Sequence, residues 1–341
     1  MTDSILYPHE PSTLLALLES HLPYSLPVYG TLKRLPLSSK DSQAEPAWAS
    51  FPSSSIPNLF TSTSTSTTST TSTSITPTST LEPTSTSTSS SAEPWIIITH
   101  LPSPLRNQIR LYSSSEHPSS SSHAQIEKAR QQVLTCMLEF VKMSPEADRA
   151  GAVNLLWSGH LRDLFGTKDL GVCDTWIKVD VNDQSQGTQE TKGTQETQGT
   201  QGTQGGIQGE SDADMDGLVV DDAREEDCEM IMNTRDIPIP LPYYHSLVRE
   251  TTVIRTISTG TAISWSMTQH DGVIGSLYTL PDYRRRGLAQ IVVEQRIKRD
   301  LETGFGVGGY CYIYRGNKGS EGLFGRMGWQ RRWGVQWVSL R

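Results

Sequence analysis

At 341 residues the chain exceeds the ~100–200 residues usual for one domain, so two folded domains and some unfolded sequence are expected. Hydrophobic residues make up only 35%, because two polar tracts dilute otherwise ordinary globular sequence. A net charge of −8 excludes a general polyanion binder, yet residues 249–341 hold 14 Lys/Arg against seven Asp/Glu, which suits either a local anionic ligand or a solvated basic surface.

Taken in order, Ser12 to His21 offers a possible N-cap and an apolar stripe, which predicts a short helix. Leu26 to Leu32 and Trp95 to Thr99 read as strands, the second as a buried apolar run. Between them the Ser/Thr tract 61–93 lacks the apolar area needed to order itself and is expected to be a disordered insertion. Ala124 to Val141 spaces Ile126, Ala129, Val133, Met137 and Phe140 as a helix does, so this stripe is expected in a core. Gly-Thr-Gln repeats then fill 183–217, the composition of a flexible linker.

After the linker, strands are expected at Thr252 to Ile257, Ala262 to Met267 and Val273 to Leu280, with Gly260 and Asp271-Gly272 supplying the turns. A helix follows from Gly287 to Glu302, ended by Gly304, then a strand Tyr310 to Tyr314, a short helix Ser320 to Arg326 and a last strand. Tyr310, Tyr312 and Tyr314 share one strand face, and Trp329, Trp333 and Trp337 suit core packing or the wall of an acceptor pocket. Cys136, Cys173, Cys228 and Cys311 lie far apart with no C-x-x-C spacing, so reduced thiols and no metal site are expected. No Lys or Arg precedes Lys33, and the longest strongly apolar stretch, Trp95 to Ile98, is far too short for a bilayer; a soluble cytoplasmic protein is expected.

The informative stretch is Tyr278-Thr-Leu-Pro-Asp-Tyr-Arg-Arg-Arg-Gly-Leu-Ala289, where a strand turns into Arg284-x-x-Gly287-x-Ala289 at the start of a helix. Helix-start amides without intrahelical partners, the positive end of the macrodipole and a glycine admitting close approach make a cradle for a diphosphate. Arg284, Arg285 and Arg286 add charge there, although the pattern alone also describes a capped basic helix start. It is neither a P-loop nor a G-x-G-x-x-G fingerprint.

The segment resembles the coenzyme A motif of the GNAT superfamily. A second GNAT signature follows as Asn317-x-x-Ser320-x-x-Leu323-Phe324-x-x-x-Gly328-Trp329. More narrowly, Ser264-Trp265-Ser266 with Tyr278-Thr-Leu-Pro-Asp-Tyr-Arg284 is similar to glycine N-acyltransferase-like proteins, and His21-Leu-Pro-Tyr-Ser-Leu-Pro-Val-Tyr-Gly-Thr31 to the start of their N-terminal domain. The resemblance implies an α+β GNAT fold, a mixed, mostly antiparallel sheet flanked by helices, preceded by a degenerate GNAT-like domain over 1–182, with the acyltransferase domain over 218–341. It implies an N-acyltransferase passing an acyl group from acyl-CoA or acetyl-CoA to an amine such as an amino acid, with no nucleic-acid or membrane partner; the alternative is an acyl-CoA-binding relative with little or no turnover. Leu277, Tyr278 and Thr279 would line the pantetheine arm beside a parted strand, and Arg284, Arg285, Arg286, Gly287, Leu288 and Ala289 the diphosphate. Asn317 would contact the arm from the far side, Phe324 would lie beside the sulfur, and the acceptor would sit over Trp265. Phe324 replaces the tyrosine that protonates the thiolate in many relatives, and Val273 occupies the expected place of the basic carboxylate, which leaves Asp271 as the candidate base, against its reading as half of an Asp-Gly turn.

Overall fold

The computed structural model describes residues 5–38, 47–56, 93–101, 107–117, 122–168, 171–178, 215–235, 239–304 and 306–341. The expected insertion, but for Glu93, and the expected linker, but for residues 215–217, lie outside them. The described chain divides into two compact units: residues up to Leu101, from 107 to 168 and Val338–Arg341 form the first, and 171 to Trp337 the second. The units thus exchange segments: residues 171–178, expected with the first domain, lie in the second unit, and the last four residues lie in the first.

In the first unit, strands β1 (Tyr7–His9), β2 (Ala47–Ala49), β3 (Ile96–Leu101) and β4 (Gln108–Ser113) pair antiparallel in that order, and β5 (Arg149–Asn154) joins β4 in parallel. Helix α1 (Pro11–Glu19) matches the expected one. The next segment, expected as a strand, is instead helix α2 (Leu26–Ser38). β-branched and aromatic residues suggested a strand, but Leu26, Val28, Tyr29 and Leu32 recur at helical spacing, and all are buried; tertiary packing overrides local preference. Helix α3 (His123–Met143) opens on a capping box in which Ser122 accepts from the Gln125 amide and Gln125 from the Ser122 amide. Its expected stripe is core: Ala129, Val133, Met137 and Phe140 pack with Ile96, Ile98, Ile109 and Trp157. Helix α4 (Leu155–Phe165) is capped by Asn154 and ends at left-handed Gly166.

In the second unit, β7 (Leu218–Asp222), β8 (Thr251–Thr256), β9 (Ala262–Thr268) and β10 (Ile274–Thr279) form an antiparallel sheet in the order β10-β9-β8-β7. Helix α5 (Asp227–Asn233) and helix α6 (Leu241–Ser246) cover one face through Cys228, Ile231, Tyr243 and Tyr244 packed with Trp265 and Met267. Helix α7 (Leu288–Glu302) contributes Leu288 and Val292 to a second cluster with Ile254 and Ile263. Leu301 at the end of α7 is exposed. The rest of the unit carries a further antiparallel set in which β6 (Val172–Lys178) lies between β11 (Tyr310–Tyr314) and β12 (Trp329–Ser339), with α8 (Lys318–Arg326) joining the latter two. The architecture is α+β, with mostly antiparallel sheets flanked by helices.

Candidate functional site

Strand β10 ends its sheet and β11 ends the other set, so the two are neighbours that share no ladder pairing. At one end they are tied, the Tyr310 hydroxyl donating to the Asp271 carbonyl at 2.6 Å. Beyond that tie, the register of β10 against β9 shifts between Gly275 and Tyr278, and Ser276 takes φ 52°. A bulge of this kind bends the strand away from its neighbour. Among the three strand residues expected to line a ligand, the Tyr278 carbonyl accepts from Ser264 Oγ at 3.2 Å and the Thr279 carbonyl from Arg284 Nε at 3.0 Å. The outer edge of Leu277 and the Thr279 amide therefore remain for a guest, since alternate residues of a terminal strand face away from the ladder.

The turn after β10 is built by Pro281–Tyr283, a single 3₁₀ turn closed by the Tyr283 amide on the Leu280 carbonyl at 2.9 Å. Arg285 at φ 64° and Gly287 at φ 78° then swing the chain into α7. Gly287 is the N-cap of α7 and has no side-chain cap; its carbonyl accepts from Gln290 and Ile291. The amides of Arg285, Gly287, Leu288 and Ala289 have no hydrogen-bond partner among the described residues, and Arg285 and Gly287 are exposed. This is an anion-accepting arrangement: four unpartnered N–H groups at the positive end of a helix beside cationic side chains. The three arginines differ in task. Arg284 folds back over the Tyr278 ring at 5.2 Å and bonds the strand, Arg286 lies over Tyr283 at 5.9 Å, and Arg285 extends from the turn.

Trp265 is fully buried and covered by Tyr278, whose ring stacks on it at 5.4 Å and 26°, so Tyr278 rather than Trp265 presents a surface. Phe324 is buried and meets Trp329 edge to face at 4.6 Å. Asn317 caps α8, its carboxamide oxygen accepting from the Ser320 amide at 3.2 Å. Asp271 is 1% exposed, and its carboxylate accepts from the Val273 amide at 3.3 Å inside the hairpin, where left-handed Gly272 completes the turn. That is the turn reading of Asp271. Trp329 is core, while Trp337 lies edge-on to Tyr312 at 5.4 Å.

One residue had no signal in the sequence: Arg235, just after α5, donates to Ser276 Oγ at 3.0 Å and so places a guanidinium at the bulge. Only the fold brings positions 235 and 276 together.

Residues 2–167 match the family model of the acyl-CoA N-acyltransferase verG N-terminal domain, and residues 253–338 that of FR47-like proteins. No curated protein matches the chain. A solved structure of a Drosophila protein is similar over 99% of this chain and 98% of its own, at 15% identity and a TM-score of 0.58, which establishes a shared fold. A tandem GNAT protein from the clavulanic acid biosynthesis pathway aligns over 98% of both chains at 10% identity with a TM-score of 0.43, and a putative acetyltransferase from Pyrococcus horikoshii over 99% and 89% at 9% and 0.43. Among the described residues no helix is long and apolar enough to cross a membrane. The two family matches, one falling on each half of the chain, support its place in the acyl-CoA N-acyltransferase superfamily of GNAT type, as a protein of two GNAT-like units.

Proposed function

We propose that the second unit binds an acyl-CoA thioester and passes its acyl group to an amine by direct attack, as the narrower likeness to glycine N-acyltransferases implies. The observation carrying the reading is the unpaired boundary between β10 and β11 leading to the four unpartnered amides at Gly287. The diphosphate lies on the amides of Arg285, Gly287, Leu288 and Ala289, with Arg285 and Arg286 neutralising its charge; Arg284 instead braces the strand. The pantetheine arm adds to the outer edge of β10 at Leu277 and Thr279, and Asn317 approaches it through its amide nitrogen, its oxygen being held in the helix cap. Tyr278, not Trp265, faces the acceptor.

The Asp271 carboxylate is committed to the hairpin, so we assign removal of the amine proton to water. Rate then comes from positioning and from polarisation of the thioester carbonyl by strand amides. A protein that binds acyl-CoA with little turnover is the second reading, favoured by Phe324, a buried ring with no hydroxyl for the leaving thiolate.

Calorimetry with acetyl-, benzoyl- and longer acyl-CoA, joined to thiol release across a panel of amino acids and amines, tests both. Binding at about micromolar strength, ~8 kcal/mol, with amine-dependent release is expected. Binding without release selects the second reading, and no binding to any thioester ends both.

A further inference from the structure

A second cluster of chemically competent side chains lies apart from the cradle, where the chain enters α5 and leaves α6. Glu225 and Cys228, one helical turn apart, meet His245 from α6, and one donor atom of each lies within 4.8 Å of the others. His245 Nδ1 already contacts the Glu225 carboxylate, which accounts for two of the three groups as a surface ion pair. It does not account for the third. Cys228 is 2% exposed, yet its sulfur faces the pair; its S–H donates to the Arg224 carbonyl at 3.8 Å, a weak bond.

We propose that Glu225, Cys228 and His245 form a binding site for a zinc-class divalent cation. The donor set selects the metal: a thiolate and an imidazole suit zinc, whereas magnesium and calcium take oxygen ligands. The charges close as well, because one thiolate and one carboxylate balance the two positive charges of the ion. On binding, the thiol proton leaves to solvent, the imidazole offers Nδ1 with its proton on Nε2, and the carboxylate binds through one oxygen. Donor atoms around tetrahedral zinc lie about 3.3–3.7 Å apart, so side-chain adjustments of roughly 1 Å complete the set, with water in the fourth position. The ion would staple α5 to α6, which share a core with Trp265 and Met267. The wide spacing of the cysteines argued against a zinc site only for cysteine-rich patterns. A Glu-x-x-Cys pair completed by a histidine 17 positions later becomes visible when the fold brings α6 back on α5.

The test is cobalt titration of the chelator-stripped full chain, read by absorption, followed by zinc displacement. A thiolate-to-cobalt charge-transfer band with tetrahedral visible bands is expected. Cys228→Ala should abolish the charge-transfer band, and His245→Gln, at a half-exposed position, should weaken zinc by about 10–100-fold or more. Since Cys136, Cys173 and Cys311 are each buried elsewhere, loss of the band in Cys228→Ala identifies the ligand. A wild-type chain that gives no such band, or variants that bind as the wild type does, would overturn the site.

Discussion

Both units place a strand, a turn, a helix, a second strand and a second helix in the same order, and they treat the space between the two strands differently. In the first unit β4 and β5 pair only at Gln108–Arg149 and Ile109–Ala150, and what lies beyond is filled. The Arg110 guanidinium occupies the ground beside Gly151, where an added Cβ would come within 2.0 Å of Nη1. Glu116, from the turn after β4, then accepts from Asn154 Nδ2 at 3.2 Å and Trp157 Nε1 at 2.8 Å, strapping the turn to β5 and α4. In the second unit β10 and β11 share no ladder, and the turn ends in amides that have no partner among the described residues. The same plan is closed where polar side chains reach across it and left unpaired where they do not.

The contrast is broken most directly at Gly287. Gly287→Glu adds a Cβ at φ 78° and a negative charge among the free amides, and should weaken acyl-CoA by at least about 100-fold in calorimetry, at 1.4 kcal/mol per tenfold. Replacing both Arg285 and Arg286 by Ala should cost about tenfold per guanidinium and flatten the salt dependence of binding, from ~1.5 kcal/mol or more for each charge-assisted bond. A loss of equal size from changes in the first unit's strap would erase the distinction.

Most of that distinction was not legible in the sequence. The turn into α7 was, because Pro281, Arg284, Gly287 and Ala289 act locally, through backbone conformation within one turn. The helix of the Ala129, Val133, Met137 and Phe140 stripe and the hairpins from Thr251 to Thr279 were legible for a similar reason, their periodicity being continuous. The short strands of the first unit were missed. Tyr7–His9 and Ala47–Ala49 are three residues each, too few for alternation to register. Leu26 to Leu32 was read by residue type where packing decided, and the placement of Val172–Lys178 between β11 and β12 depends on pairings over 130 residues away. The strap joining Glu116 to Asn154 and Trp157 is equally non-local.

Removing part of the strap sharpens the comparison. Trp157→Phe takes a donor from a fully buried carboxylate and should destabilise the first unit by about 1–3 kcal/mol in urea unfolding, without changing acyl-CoA affinity. The same carboxylate predicts a pH dependence. Burial, against the opposing hydrogen bonds of Trp157, Ser113 and Asn154, raises Glu116 to about 7 from 4.5. The stability it supports is therefore complete below 4.5 and lost as pH climbs through 7. His21, lowered to about 4 by burial and then by His117, works in the other direction: its contribution is complete above 6.5 and lost as pH falls through 4. Thermal melts of Glu116→Gln should match the wild type in mild acid and exceed it above about pH 7, leaving only the acid loss. The smallest effect is expected from Tyr310→Phe, which loosens the tie between the second unit's strands for ~0.5–1.5 kcal/mol, read by differential scanning calorimetry.

The central claim, one open strand pair and one filled, is tested most directly by the stoichiometry of acetyl-CoA binding to the full chain in isothermal titration. One molecule per chain, bound in the wild type and in Glu116→Gln but not in Gly287→Glu, is the predicted result. Two molecules per chain, or one that persists in Gly287→Glu, would contradict it.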